Sequence, residues 1–95
     1  MLRAAYALLG LASFFTIGDE EVRAWSIPDA THAVKAAGVV HTDMERGFIR
    51  AEVTPWQELV EAGSFATCRA HGTLRLEGKD YPVRDGDVIT FRFNV

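Results

Sequence analysis

The last 22 residues of the chain constrain the fold more than any other segment. Over residues 89–94 the side chains alternate between apolar and polar, which is the two-residue period of a half-buried β-strand. The Asp85-Gly86-Asp87 stretch just before it favours a tight turn, because glycine readily adopts the positive φ that such turns require. We therefore predict strands at residues 73–77 and 88–94 around a hairpin turn, with a short extended piece near residues 81–83. On this interpretation Asp80 and the two turn aspartates are solvated.

Upstream of this segment, the sequence predicts two short strands, a helix, a third strand and two further helices. Strands are predicted at residues 13–17, 21–27 and 47–53, with a turn at residues 18–20. Helices are predicted at residues 31–37, 55–63 and 64–72, where Gly38, Gly63 and Gly72 end them. Asp29 or Thr31 is expected to cap the first helix, and Thr54 the second, with Pro55 at its first position and Gln57 at the capping-box spacing.

This order of elements predicts the α+β class, with a mixed sheet that carries helices on one face. A further helix at residues 2–9, closed by Gly10, would form a lead-in over residues 1–12, so that the domain proper covers residues 13–95.

Strand alternation assigns side chains to two faces of the predicted sheet. The inner face is expected to hold Trp25, Ile27, Ile49, Ala51, Val53, Ile89, Phe91 and Phe93. The outer face is expected to hold Phe48, Arg50, Glu52, Thr90, Arg92 and Asn94. Trp25 and Phe91 are therefore predicted to be buried, and Phe48 and Arg92 to be exposed. A register shift of one residue would invert these assignments.

Composition excludes several classes of protein. Cys68 is the single cysteine, so a disulfide scaffold is excluded and a reducing cytosol is expected. A formal net charge of −3 argues against a strongly basic nucleic-acid binder, and any RNA contact would need a local cluster of arginines. The apolar stretch at residues 4–15 is shorter than the roughly 20 residues of a membrane-spanning helix, and no membrane association is expected.

Catalytic and metal-binding patterns are absent from the sequence. No GxxxxGK[ST] motif is present, so the chain by itself is expected neither to bind nor to hydrolyse ATP or GTP. The three histidines lack the paired spacing of a metal site, and no metal or cofactor is expected in this chain. Cys68 and His71 are spaced to touch on a helix, but a buried thiol and a histidine at the helix end are the favoured interpretation.

Two polar groups remain as candidate binding residues. The segment from His41 to Gly47 is either a binding loop or a tight connection that bonds its own backbone. Arg50 and Arg92 share the predicted outer face with Phe48, a combination that suits single-stranded RNA through phosphate pairing and base stacking. Alternatively, Glu52 and Glu45 neutralise these arginines, or the face docks on another domain.

Five segments carry a resemblance to a known family. In chain order they are LLGLASFFTIG, EVRAWSI, AAGVVHTDMERGFIRAEV, LVEAGS and EGKDYPVRDGDVITFRFNV. Together they resemble the TGS domain at the C-terminus of the YchF/Obg-like P-loop ATPases. The resemblance implies a β-grasp (ubiquitin-like) fold and a cytoplasmic protein linked to ribosomes, in which ATP or GTP and magnesium bind a separate domain. Many members of that family carry a basic, glycine-containing stretch after the strand that contains Trp25. This chain departs from that pattern, with Pro28-Asp29-Ala30 at the same place.

The expected function is therefore a non-catalytic regulatory or binding module of such an ATPase that contacts RNA or the ribosome. The candidate contact residues are His41, Arg46, Phe48, Arg50 and Arg92. The alternative is an intramolecular domain that packs on the ATPase domain of its own parent protein.

Overall fold

The computed structural model describes residues 10–17 and 21–94. The expected helix at residues 2–9 and the expected turn at residues 18–20 lie outside these residues. Within them, the elements in chain order are β1 (Leu11–Ile17), β2 (Val22–Pro28), α1 (Ala33–Val40), α2 (Thr42–Arg46), β3 (Phe48–Pro55), α3 (Trp56–Ala62), α4 (Phe65–His71), β4 (Arg75–Glu77) and β5 (Asp87–Phe93).

The strands form one five-stranded mixed sheet in the order β2-β1-β5-β3-β4. β1 is antiparallel to β2 and parallel to β5, while β3 is antiparallel to both β4 and β5. A parallel pair needs a crossover connection, and the intervening helices supply it here. This is the β-grasp arrangement, and the predicted α+β class with a mixed sheet is confirmed.

The predicted hairpin turn at residues 85–87 is wrong, because β3 lies between β4 and β5 in the sheet. Gly86 does adopt a positive φ of 89°. The two flanking aspartates, however, are not simply solvated. Asp85 Oδ1 accepts the backbone N–H of Ser13 at 2.8 Å, and Asp87 is buried. The turn therefore fastens the start of β5 to β1.

Aromatic side chains fill the space between the sheet and α1. Phe14 is fully buried, lies stacked near Trp25 with ring centroids 6.5 Å apart, and meets Phe91 edge-on at 5.9 Å. Such offset and edge-to-face pairs add to the hydrophobic free energy of burial. α1 contributes three buried alanines, which lets the helix approach the sheet closely. The predicted burial of Phe91 is confirmed, and Trp25 is half-buried, with its Nε1 donating to Thr16 Oγ1.

A β-bulge at the start of β3 overturns the predicted faces of two residues. Phe48 pairs with Phe93 and Arg50 pairs with Arg92, so Ile49 is an extra residue in β3. The bulge turns Phe48 into the core and leaves Ile49 54% exposed. The expectations that Phe48 is exposed and that Ile49 is buried are therefore wrong. Phe93, also predicted on the inner face, lies at the end of β5 and is exposed.

Helices also pack against the second face of the sheet. Thr54 remains in β3 and is buried, and its hydroxyl lies 4.0 Å from the Sγ of Cys68 on α4. Pro55 is the N-cap residue of α3, so the predicted threonine cap is wrong. Gly63 and Gly72 end their helices in the left-handed conformation as predicted. α1 begins after His32 and continues through Gly38, contrary to the predicted caps and end.

Gly47 permits a close approach between two backbones, which gives a stability prediction. Its carbonyl accepts the N–H of Asn94 at 2.9 Å, and a Cβ at this position would overlap the carbonyl of Asn94. Since its φ of −101° is open to any residue, the cost of Gly47→Ala is steric. We expect the free energy of unfolding to fall by about 1–3 kcal/mol. Gly78→Ala, where a Cβ meets nothing within 4 Å, should change it by less than about 0.5 kcal/mol in the same urea titration. Equal midpoints for the two variants would contradict this account.

Candidate functional site

Three arginines converge on one carboxylate on the second face of the sheet. Glu52 Oε1 lies 3.1 Å from Arg92 Nη2 and 3.2 Å from Arg69 Nη2, within hydrogen-bond distance of both. Glu52 Oε2 lies 3.8 Å from Arg50 Nε. We call Arg50, Arg69 and Arg92 the arginine cluster. Two cluster members come from neighbouring strands and the third from α4.

The register of β3 and β5 explains why the cluster needs its acidic centre. Arg50 lies directly opposite Arg92, and like charges at such cross-strand positions destabilise a sheet. The Glu52 side chain is only 6% exposed, whereas the three arginine side chains are 46–57% exposed. Burial alone would raise the pKa of Glu52. The hydrogen bond and charge of Arg92, with the charges of Arg69 and Arg50, outweigh this and lower it.

The cluster retains a positive charge that faces solvent. One carboxylate balances one of the three guanidinium groups, which leaves two positive charges on a chain whose net charge is −3. Each guanidinium has five N–H donors in a planar fork, so the donors not aimed at Glu52 remain for another anion. Phosphate oxygens fit this fork in a bidentate geometry. The arrangement can therefore bind phosphate groups.

Arg69 is a member of the site that the sequence patterns do not identify. They predict a helix at residues 64–72, but nothing in the local pattern places this helix over the second face of the sheet. Cys68 offers a weak signal, because a buried residue on α4 requires that the helix packs against something. Its neighbour Arg69 then reaches Glu52, which lies 17 residues away along the chain.

The other candidate residues make their contacts outside the cluster. Phe48 is buried with its ring centroid 6.3 Å from that of Phe91, so its ring has no free face for a base. His41 is the N-cap of α2, where its Nδ1 accepts the N–H of Asp43 at 3.0 Å. Arg46 is exposed, with Nη1 3.9 Å from Asp43 Oδ1. A binding role for His41 or Arg46 stays a prediction.

Of the two carboxylates expected to neutralise the arginines, only one does so. Glu52 is at the centre of the cluster. Glu45 instead accepts a hydrogen bond from Lys35 Nζ at 2.9 Å, which links α2 to α1. The polar segment at residues 41–47 is thus a short helix held to α1 by an ion pair.

A second polar group anchors the segment between β4 and β5. The buried Asp87 accepts a hydrogen bond from the Tyr81 hydroxyl at 2.6 Å and another from the N–H of Arg84 at 3.0 Å. Arg75 Nη2 donates to the same Tyr81 hydroxyl at 3.1 Å. Burial, followed by the hydrogen bond and charge of Asp87, raises the pKa of Tyr81 to about 12. These bonds satisfy the polar groups that the fold buries here.

The raised pKa of Tyr81 predicts a loss of stability in alkali. An unfolded tyrosine ionises near its ordinary value of 10.0, whereas the folded chain keeps this proton to about pH 12. Between these values the unfolded state binds fewer protons, so stability falls as pH rises. We expect urea midpoints of the unmodified chain to fall more steeply over this window than those of Tyr81→Phe. Parallel curves would contradict the assignment.

Metal and thiol chemistry find no support in the described part of the chain. Residues 10–17 and 21–94 contain no group of three metal-ligating side chains placed to hold an ion. Cys68 is fully buried, with its Sγ 3.9 Å from the Glu58 carbonyl oxygen, while His71 is exposed. The interpretation of Cys68 as a buried thiol is confirmed. None of the helices described is long and apolar enough to cross a membrane.

Comparison with known proteins gives consistent matches. The family model YchF-GTPase_C, described as a protein of unknown function (DUF933), matches residues 11–94. The ribosome-binding ATPase YchF of Bacillus subtilis (strain 168) is 52% identical over 95 residues, which cover 100% of this chain and 26% of the relative. Obg-like ATPase 1 of Gallus gallus is 50% identical over 94 residues, which cover 99% and 24%.

Solved structures agree with the sequence matches. The structure of the Schizosaccharomyces pombe YchF GTPase superposes with a TM-score of 0.85 at 37% sequence identity, covering 96% of this chain and 24% of that chain. The chain therefore spans about a quarter of the length of the relatives it matches.

Proposed function

Since the chain belongs to the YchF GTPase C-terminal family, we propose that it is a non-catalytic, TGS-type binding module of a cytoplasmic, ribosome-associated P-loop ATPase. Its arginine cluster contacts RNA phosphates. The nucleotide, the magnesium ion and the hydrolysis belong to the remaining part of the longer protein.

The observation that carries this proposal is the arginine cluster itself. Two unbalanced positive charges lie at the surface of a chain that is otherwise acidic. Half-exposed guanidinium groups that share one buried carboxylate are already oriented, so binding costs less side-chain entropy. The name of the Bacillus subtilis relative, a ribosome-binding ATPase, supports RNA as the anion.

The burial of Phe48 bears on which part of an RNA the cluster contacts. Stacking on aromatic rings supplies much of the affinity of proteins for single-stranded RNA. Because Phe48 is in the core, the cluster is left to act on the phosphate backbone. With a net charge of −3, the isolated chain should bind RNA weakly at physiological salt.

The test neutralises the three arginines one at a time and measures ribosome binding of the 95-residue chain across a salt series. Each of the variants Arg50→Gln, Arg69→Gln and Arg92→Gln should weaken binding. Each should also make the decline of log K with log salt less steep, by about 0.7–0.9 in slope for each phosphate that the variant no longer neutralises. Lys79→Gln removes one positive charge from an exposed position outside the cluster and should leave the slope nearly unchanged. If the three cluster variants and Lys79→Gln all gave the same slope, the proposal would be rejected.

A second candidate function is intramolecular docking on the parent ATPase. It is favoured by a separate observation, an apolar groove between the β1–β2 hairpin and α3. The groove and the arginine cluster share no residues, so the two candidate functions rest on different surfaces.

A further inference from the structure

An apolar groove runs between the β1–β2 hairpin and α3. Phe15, Ile17 and Val22 line one wall, and Trp56 and Val60 line the other. The groove encloses about 250 Å³, and every side chain that lines it is apolar. On α3, the spacing of four residues between Trp56 and Val60 places both on one face of the helix. We call this surface the apolar groove.

The exposure of these side chains indicates that something covers the groove. Ile17, Val22, Trp56 and Val60 are between 44% and 66% exposed. α4 packs on the β3 part of this sheet face through Thr54, but the described helices leave the hairpin side of the face open. Contiguous exposed apolar patches on soluble proteins commonly mark interaction sites, and sheet faces are normally covered by another layer.

We propose that the apolar groove docks an uncharged, apolar segment of the same polypeptide, supplied by the part of full-length family members that lies outside this chain. This inference rests on the second candidate function and assigns it a surface. Bacterial and animal relatives alike carry this region within a chain about four times as long. A tethered segment meets the groove at an effective concentration near millimolar, which favours it over a free partner.

Charge argues against a second copy of the chain as the occupant. Each copy carries a net charge of −3, and like charges oppose association. Intramolecular docking at the groove also leaves the arginine cluster open. The same module can therefore be held by its parent protein while it contacts RNA.

The test compares two surface positions of nearly equal exposure. Val60 is 66% exposed inside the groove, and Leu76 is 64% exposed on β4 outside it. Val60→Cys and Leu76→Cys are labelled with a maleimide, first in the 95-residue chain and then in the Bacillus subtilis relative whose matched region is replaced by this chain. The native Cys68 is fully buried and gives a low background. Thermal melts confirm that each variant is folded before labelling.

In the 95-residue chain the two cysteines should react at similar rates. In the longer protein, labelling at Val60→Cys should slow at least about tenfold, as expected for a site that opens with a cost of roughly 1.4 kcal/mol or more, while labelling at Leu76→Cys stays unchanged. Adding Val22→Asp to the longer protein should restore the fast rate at Val60→Cys, because a carboxylate disfavours apolar docking.

Three results would overturn the inference. Unchanged labelling of Val60→Cys in the longer protein means that no segment of that polypeptide fills the groove. Equal protection of Leu76→Cys means that the covering is not specific to the groove. Slowing that depends on the concentration of the 95-residue chain identifies a second copy as the occupant. Arg50→Gln should leave all labelling rates unchanged, so failure of RNA binding and failure of docking are distinguishable.

Discussion

Replacing Phe91 with alanine is expected to lower the free energy of unfolding by about 3–5 kcal/mol. Phe91 is 7% exposed, and its ring lies near those of Phe14, at 5.9 Å, and Phe48, at 6.3 Å. Alanine removes the buried ring together with both aromatic contacts and leaves a cavity that the surrounding strands fill only in part. Since the free energy of unfolding of a native protein is about 5–15 kcal/mol, this decrease is a large share of the total stability.

The same strand provides the control for this prediction. Phe93 is two residues further along β5 and is 38% exposed. Phe93→Ala should therefore cost clearly less than Phe91→Ala in urea titrations followed by circular dichroism, on the order of 1 kcal/mol. A barely shifted, cooperative melt for Phe91→Ala would show that the assigned core is wrong.

Reversing the charge of two cluster arginines is expected to remove most ribosome binding by the longer protein. Arg50→Glu with Arg92→Glu turns a surface with two surplus positive charges into one with two surplus negative charges around Glu52 and Arg69. Charge-assisted hydrogen bonds contribute about 1.5–3 kcal/mol each, so the affinity should fall at least about tenfold at low salt. The difference should shrink as salt rises, because released counterions drive the binding.

ATP hydrolysis, measured on the same variant, tests whether the cluster itself contacts RNA or docks on the parent protein. If the cluster contacts RNA, hydrolysis without ribosomes should be unaffected by the double reversal. If the cluster docks on the parent protein instead, basal hydrolysis or domain stability should change, with little effect on salt-dependent binding. Lys79→Glu with Arg84→Glu makes the same change in net charge at exposed positions outside the cluster. A loss of binding as large for this control as for the cluster variant would count against the proposed site.

Local sequence patterns determined which residues form most elements of this protein. Alternation predicted the strands that became β3 and β5, and it placed Arg50 and Arg92 on one face of the sheet. Gly63 and Gly72 predicted the ends of two helices, because the left-handed cap needs a residue without a Cβ. These features depend on the spacing of apolar residues and on the backbone freedom of a few adjacent residues, and both can be read from the sequence alone.

The composition of the candidate site was decided only by tertiary structure. The bulge that moved Phe48 into the core lies beside the backbone hydrogen bond between Gly47 and Asn94, and it brings the Phe48 ring within 6.3 Å of that of Phe91. Arg69 joined the cluster because α4 packs against β3 on the second face of the sheet. Glu52 became buried for the same reason, beneath side chains that lie 17 and 40 residues away along the chain. Contacts at such separations depend on how layers pack, and a local period of two or 3.6 residues carries no information about that.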